Sequence, residues 1–291
     1  MEMVEALVYV IVLNYNGYED TKKCIESVLK NTYSNFEVLI VDNASVDDSE
    51  TRLREDFPQC VVLQTGSNLG YAGGNNVGIK YAVEKEAEYI CILNNDTLVA
   101  EDMIEILVSH LKKFPQSIVG PATLFWKSNI IHSAGANIDF WRGISNIPYY
   151  SEKIENIRKN SISCDYLEGT CLMFSTKYID TIGLLPEIYF MYFEETEWCW
   201  RAKKRGINVV CIPKAKLWHK GSASSNKVSG MKQRLEDRNR IIFEQRNASI
   251  AQRIFFFVYV WTQLLFRIIT KKRDSITART YIEGYKINNK E

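Results

Sequence analysis

The chain has 291 residues, 46% of them hydrophobic, at a formal net charge of +1, which suffices for a substantial core, excludes a disordered chain and gives no sign of a nucleic-acid partner. The neutrality hides an asymmetry: residues 227–291 carry 14 Lys/Arg against 6 Asp/Glu, an excess of +8, leaving −7 for the rest, so a basic tail suits an anionic surface while the body holds acidic chemistry. Seven cysteines without a Cys-x-x-Cys pair argue for reduced core thiols in a cytosolic protein and against a disulfide framework or zinc site, and the acidic start shows no signal peptide.

Leu7 to Leu13 is a near-continuous apolar run, as a strand buried on both faces requires, and it ends in Asn14-Tyr15-Asn16-Gly17. Helical spacing follows from Asp20 to Lys30. A second strand, Phe36–Val41, ends in Asp42-Asn43-Ala44-Ser45, and strand, helix, strand implies a right-handed parallel crossover. A capped helix runs to about Phe57, and Cys60–Leu63 gives a third strand.

The run from Gly66 to Gly78 then leads into a helix through Ile79 to Glu86. Its glycines let backbone approach a ligand, and the helix N-terminus offers free N–H groups to an anion. It is not a dinucleotide fingerprint: it lacks Gly-x-Gly-x-x-Gly and follows the third strand, not the first. The fourth strand, Tyr89–Leu93, delivers Asn94-Asn95-Asp96 to its carboxyl end, where ligand crevices of open α/β sheets lie. A polar turn capping the helix predicted from Glu101 to Lys113 is the other reading of these three residues. On that helix His110 reads as surface or packing.

The pattern blurs between Val119 and Asn160, where Trp126, Trp141, Tyr149 and Tyr150 suit either stacking on a sugar ring or a small loop core. Order returns over Asp165–Phe174, where an apolar strand is preceded by Glu168-Gly169, and a short helix from Thr176 to Ile182 ends at Gly183. Then Glu194, Glu195 and Glu197 enter a helix directly behind the aromatic run Tyr189–Phe193. Acids favour a first helical turn, and Glu197 with Arg201 is an i,i+4 pair; this explains Glu197 better than Glu194 and Glu195, which suit a base of raised pKa in a cleft. After a strand over Ile207–Ile212, Leu217 to Ser222 carries a lone histidine, His219, read as structural or as a metal ligand.

From Gly230 the chain becomes basic and helical. Ile254–Phe266 is strongly apolar but shorter than the roughly 20 residues of a spanning helix, and it is flanked by Arg253, Arg267, Lys271, Lys272 and Arg273. It reads as lying in a membrane interface, or as packed on the catalytic body or on the second copy of a homodimer.

The strand-end loops open on one side of a parallel sheet and suit a nucleotide carrying a diphosphate. The ordered motifs Asn14-Tyr15-Asn16-Gly17, Val41 to Asp47, Asn68 to Gly78, Leu93 to Thr97 and Tyr192-x-Glu194-Glu195-x-Glu197-Trp198-x-x-Arg201 resemble family 2 glycosyltransferases, over about residues 7–222. They are most similar to the rhamnosyltransferase-like branch that builds bacterial surface polysaccharides. The resemblance implies an α/β protein of the GT-A fold, a Rossmann-like, mostly parallel sheet flanked by helices, over residues 1–226, with a C-terminal helical extension over 227–291. It implies inverting transfer, with rhamnose the leading sugar, from a dTDP- or UDP-sugar to a saccharide or lipid-linked saccharide on the inner membrane surface, by a cytoplasmic, peripheral enzyme.

On the same resemblance Asn14, Tyr15, Asn16, Asp42, Asn68, Gly70, Gly73, Asn75, Asn95 and Asp96 bind the donor, and Glu168, Gly169 and Trp198 the acceptor. Asp96 and His219 hold Mn²⁺ or Mg²⁺, and Glu195, with Glu194 as its alternative, is the base. Two departures stand out. The family's Asp-x-Asp is here Asn94-Asn95-Asp96, and Glu195 replaces the usual Asp. A non-catalytic nucleotide-sugar-binding scaffold is the alternative function, because a weakened metal motif also suits a degenerate copy.

Overall fold

The computed structural model describes residues 5–221, 230–269 and 275–288. In chain order these form β1 (Val8–Asn14), α1 (Tyr18–Val28), β2 (Phe36–Asp42), α2 (Ser49–Asp56), β3 (Val61–Gln64), α3 (Gly70–Glu84), β4 (Tyr89–Asn94), β5 (Thr97–Val99) and α4 (Met103–Lys113). β6 (Ser117–Phe125), β7 (Ile131–Ser133), β8 (Asn137–Asp139), β9 (Ile144–Asn146), β10 (Ile162–Ser163), β11 (Cys171–Ser175), α5 (Tyr178–Ile182), α6 (Glu194–Lys204) and β12 (Asn208–His219) follow. The chain then continues as α7 (Met231–Asn247), α8 (Ile250–Ile269) and α9 (Ser275–Asn288).

The main sheet has the order β10-β12-β6-β11-β4-β1-β2-β3. β3, β2, β1 and β4 are mutually parallel, as the alternating strand–helix pattern requires. β11 runs antiparallel to both β4 and β6. Successive side chains of a strand face opposite layers: Tyr9, Ile11, Leu39, Val41, Ile90 and Ile92 join one core cluster, whereas Val8, Val10, Val12, Ile40, Cys91 and Leu93 join the other. Burial on both faces explains the unbroken apolar runs, each fully buried Ile or Leu contributing about 1.5–3 kcal/mol. The cysteines are free thiols, all buried except the half-buried Cys60.

Three expectations change. The glycine run is not a loop. α3 starts at Gly70 and includes Gly73, Gly74 and Gly78. A Cβ on Gly74 or Gly78 would stand 2.5 Å from Leu13 or 2.7 Å from Ile11, so these glycines let the helix lie close on the sheet. Nor is the start of α3 free for an anion: the Phe190 carbonyl accepts from the N–H groups of Tyr71 (2.7 Å) and Ala72 (3.4 Å). Finally, Asn94-Asn95-Asp96 does not cap α4, because β5 intervenes and pairs with the end of β12, Thr97 opposite His219.

The apolar strand predicted behind Glu168-Gly169 is β11, and the one predicted over Ile207–Ile212 extends to His219. Part of the blurred stretch is a β8–β9 hairpin. α7 packs on the body through Ile242 and Phe243, which join Phe140 and Tyr189 in one cluster. α8 buries Phe256, Val260 and Leu264 against Ile241 and Tyr281. Ser222 and the flanking Lys271, Lys272 and Arg273 lie outside the described residues.

Candidate active site

β1, β2 and β4 end side by side, with Asn14 opposite Asp42 and Leu13 opposite Asn94. Asp42 is fully buried. It accepts from Asn14 Nδ2 (2.8 Å), from the Ser45 amide (2.8 Å) and hydroxyl (2.7 Å), and from Gln64 Nε2 (3.0 Å). Asn14 is saturated as well, its Oδ1 taking the Thr21 hydroxyl at 2.7 Å. Asn16 bonds through its amide to Ser45 Oγ (2.9 Å) and through Oδ1 to the Val46 amide (2.8 Å). These residues brace the two strand-end loops. Asn43 continues the frame toward α3, donating to Asn68 Oδ1 (3.1 Å) and the Gly70 carbonyl (3.0 Å).

Beyond that frame lies a cavity of about 410 Å³. Tyr15, Asn68, Gly70, Asn95, Asp96, Glu168, Gly169, Glu194, Glu195 and His219 line it, so distant motifs meet in one place. Asn14, Asn16, Asp42, Gly73 and Asn75 lie behind the lining. Gly73 packs on Leu69, and the fully buried Asn75 donates to the Tyr71 carbonyl at 2.9 Å. Trp198 is corrected as an acceptor contact: it is fully buried against Phe174, and its indole N–H bonds the Gly183 carbonyl, which leaves no surface for a substrate.

His219 Nε2 stands 3.1 Å from Asp96 Oδ1, both side chains mostly buried. The β5–β12 pairing fixes that distance, helped by the Lys220 amide on the Asp96 carbonyl (3.0 Å). Two ligands about 2.1 Å from one cation, at right angles to each other, stand roughly 3.0 Å apart, so the pair fits neighbouring positions on a single ion. Among the described residues no group of three or more His, Cys, Asp or Glu is arranged to hold a metal ion by itself. Two protein ligands leave coordination positions to phosphate and water, the usual arrangement for Mg²⁺.

Opposite, Phe190, Tyr192 and Phe193 all have positive φ (66°, 70° and 78°), and this left-handed turn delivers Glu194 and Glu195 at the start of α6. Burial pushes the Glu195 carboxyl up to about 7, and the nearby charge of Glu168 adds to the effect. Glu194 is raised well above the usual carboxylate range by burial and then by Glu195, and its Oε2 has no hydrogen-bond partner among the described residues. Glu197 behaves oppositely: Tyr189, Arg201 (2.8 Å) and Arg246 (3.2 Å) hold it and, against its burial, keep it low. It is a structural anchor.

Sequence reasoning did not single out His132, Tyr71 or Lys232, which also line the cavity. His132 Nδ1 lies 3.1 Å from Glu168 Oε2, its ring 5.9 Å from that of His219. The Tyr71 hydroxyl donates to the Gly169 carbonyl. Tyr71 lay inside the glycine run and was within reach of sequence reading, whereas His132 sits in the blurred stretch and Lys232 in the basic tail, where nothing set them apart. Tyr150, 53% exposed, stands edge-on to Phe125 and His132 beside the same wall.

The family model described as "Glycosyl transferase family 2" matches residues 9–183. A "Low-salt glycan biosynthesis hexosyltransferase Agl10" of Haloferax volcanii is 31% identical over 69% of this chain and 62% of its own length. The "dTDP-rhamnosyl transferase RfbF" of Shigella flexneri is 26% identical over 84% of this chain and 80% of its own. The chain thus spans less than two thirds of the archaeal relative. Among solved structures, that of GalNAc-T7 with UDP, GalNAc and Mn²⁺ superposes at a TM-score of 0.64 and 15% identity, covering 91% of this chain and 57% of that one; this likeness establishes the GT-A fold.

Proposed function

The chain belongs to glycosyl transferase family 2, and we propose that it is an inverting glycosyltransferase moving a hexose, rhamnose in our reading, from a nucleoside-diphosphate sugar to a saccharide hydroxyl. The observation that carries this is that Asp96, His219, Glu194 and Glu195, from distant parts of the chain, line one cavity. The sugar choice draws on the dTDP-rhamnosyl relative, and the donor is a dTDP- or UDP-sugar.

In this reading Tyr15, Asn68 and Asn95 contact the donor on the β1–β2–β4 side, while Asp42 and Asn14 keep its loops in place. Asp96 and His219 hold Mn²⁺ or Mg²⁺, which, when bound, neutralises charge developing on the leaving diphosphate. Glu195 takes the proton of the acceptor hydroxyl as that oxygen attacks the anomeric carbon from the side opposite the diphosphate. A base that titrates near the working pH combines availability with driving force. Glu194, raised by burial and then by the adjacent Glu195, is held toward its neutral form, which lessens the charge beside Glu195. Glu168, with His132, faces the incoming sugar, and Tyr150 offers it an aromatic edge. A scaffold that only binds nucleotide sugar has no use for a carboxyl poised in this way.

In this reading the acceptor is met at a membrane. No helix among the described residues is long and apolar enough to cross one. Yet α8 leaves Ile254, Phe257, Val258, Phe266 and Ile269 exposed within a segment of net positive charge. Such a helix lies in the interface of an anionic leaflet, which would put the cavity near a lipid-linked saccharide. A thermal-shift screen of nucleotide sugars with and without Mn²⁺ tests the donor assignment: a matched donor raises the melting temperature and does so more with the metal, and no response to any nucleotide sugar would refute it.

A further inference from the structure

α7 reaches the active site from the far end of the chain. Asn239 on that helix is fully buried. Its side-chain amide donates to the carbonyls of Tyr189 (3.0 Å), Met191 (2.7 Å) and Tyr192 (2.8 Å). Arg238 donates to the Tyr189 carbonyl at 2.7 Å, and its Nε holds Asn239 Oδ1 at 2.9 Å, fixing the amide's orientation. The segment so gripped contains the left-handed Phe190, Tyr192 and Phe193. Each such non-glycine residue is strained and persists only where its surroundings over-determine it. Between the gripped carbonyls, that of Phe190 turns the other way, to the start of α3. Glu194 follows immediately.

We infer that Asn239, oriented by Arg238, is a positioning residue for the base: α7 holds the turn that aims Glu195 into the cavity, so the C-terminal helices belong to the catalytic apparatus. The inference rests on the proposed role of Glu195. It assigns the loop's strain a source of support outside residues 9–183, the span shared with the family model.

The groups facing Glu195 are Glu194 on its own helix, Glu168, Tyr71, Tyr166 and Cys199, with His132 and Lys232 elsewhere in the cavity. If the turn relaxes, Glu195 moves relative to all of them and toward water. The test is the pH profile of kcat/KM for donor turnover in the full chain, for Asn239→Ala, Arg238→Ala, Arg238→Lys and, as a packing control on α7, Ile242→Val.

Asn239→Ala is expected to lower kcat by about 10–100-fold, with donor KM changed less than about threefold, and to move the acidic limb down toward the usual carboxylate range. Arg238→Ala does the same more weakly and Arg238→Lys restores part of the loss; Ile242→Val lowers the melting temperature with the limb unmoved. Should Asn239→Ala fail to fold, the two Arg238 variants decide. An active wild type whose limb stays put in the folded Asn239 or Arg238 variants overturns the inference alone. A wild type inert toward every nucleotide sugar overturns the proposed function, and this inference with it.

Discussion

His219 Nε2 stands 3.1 Å from Asp96 Oδ1 because β5 pairs with the last residues of β12, bringing Thr97 opposite His219. With Asn94 and Asn95 in place of a second carboxylate, this contact supplies both protein ligands of the proposed cation site. Asp96→Ala and His219→Ala should each weaken Mn²⁺ binding, in the presence of nucleoside diphosphate, by more than about tenfold, or roughly 1.4 kcal/mol. Calorimetric titration measures this directly, and unchanged Mn²⁺ affinity in both variants would remove the metal from the site.

Glu194 offers a test by stability. Its folded-state pKa is raised, so the fold disfavours its charged form; stability is fully present below the unfolded value near pH 4.5 and declines as pH rises from there toward the folded pKa. Glu194→Gln should therefore raise the melting temperature at pH 8 and leave it unchanged near pH 4. A variant destabilised at pH 8 would mean that the charged carboxylate has a partner the structure does not show.

Asp42 makes a different demand. Four donors converge on its two oxygens, and an amide in its place would turn an N–H₂ toward two of them. Each buried group left unsatisfied costs about 1–3 kcal/mol. Asp42→Asn is expected to lower stability in urea by that amount or more, with nucleotide affinity falling as the Asn14–Gly17 and Asn43–Ser45 loops loosen. Stability equal to wild type would show that the carboxylate is free to meet a ligand.

The exposed face of α8 predicts flotation with vesicles containing anionic lipid. Replacing Ile254 and Val258, 64% and 55% exposed, by Lys adds charge but removes apolar surface. The double variant should lose binding if burial in the interface dominates. Tighter binding of the variant would instead mean that charge alone attracts the helix to the surface.

The legibility of the structure in the sequence varies along the chain. The first four strands were legible because burial on both faces leaves unbroken apolar runs, and their polar ends were legible because a ligand crevice needs such residues there. The start of α3 was misread. Glycines usually break helices, but Gly74 and Gly78 face Leu13 and Ile11, where only glycine allows the approach. Asp96 and His219 were named from motifs, but their meeting depends on a three-residue strand too short to leave a pattern. Trp198 reads as a site residue because it stands three and four residues after Glu195 and Glu194, on the same helix face, yet one turn further along α6 it is fully buried against Phe174. Asn239 left no signal, since an asparagine in a basic amphipathic helix reads as surface until its carbonyl partners are known.

The central claim is that Glu195 is the base of a nucleotide-sugar-dependent transfer. The most direct measurement is the release of nucleoside diphosphate from dTDP-rhamnose and UDP-sugars, with Mn²⁺ and a saccharide acceptor, by wild type and by Glu195→Gln across pH 5 to 9. Wild-type activity is expected to rise with pH through about 7, the value to which burial pushes the Glu195 carboxyl. Glu195→Gln is expected to transfer about 10²–10⁴-fold more slowly with donor binding intact. A Glu195→Gln protein that transfers at the wild-type rate would contradict the role of Glu195 as base.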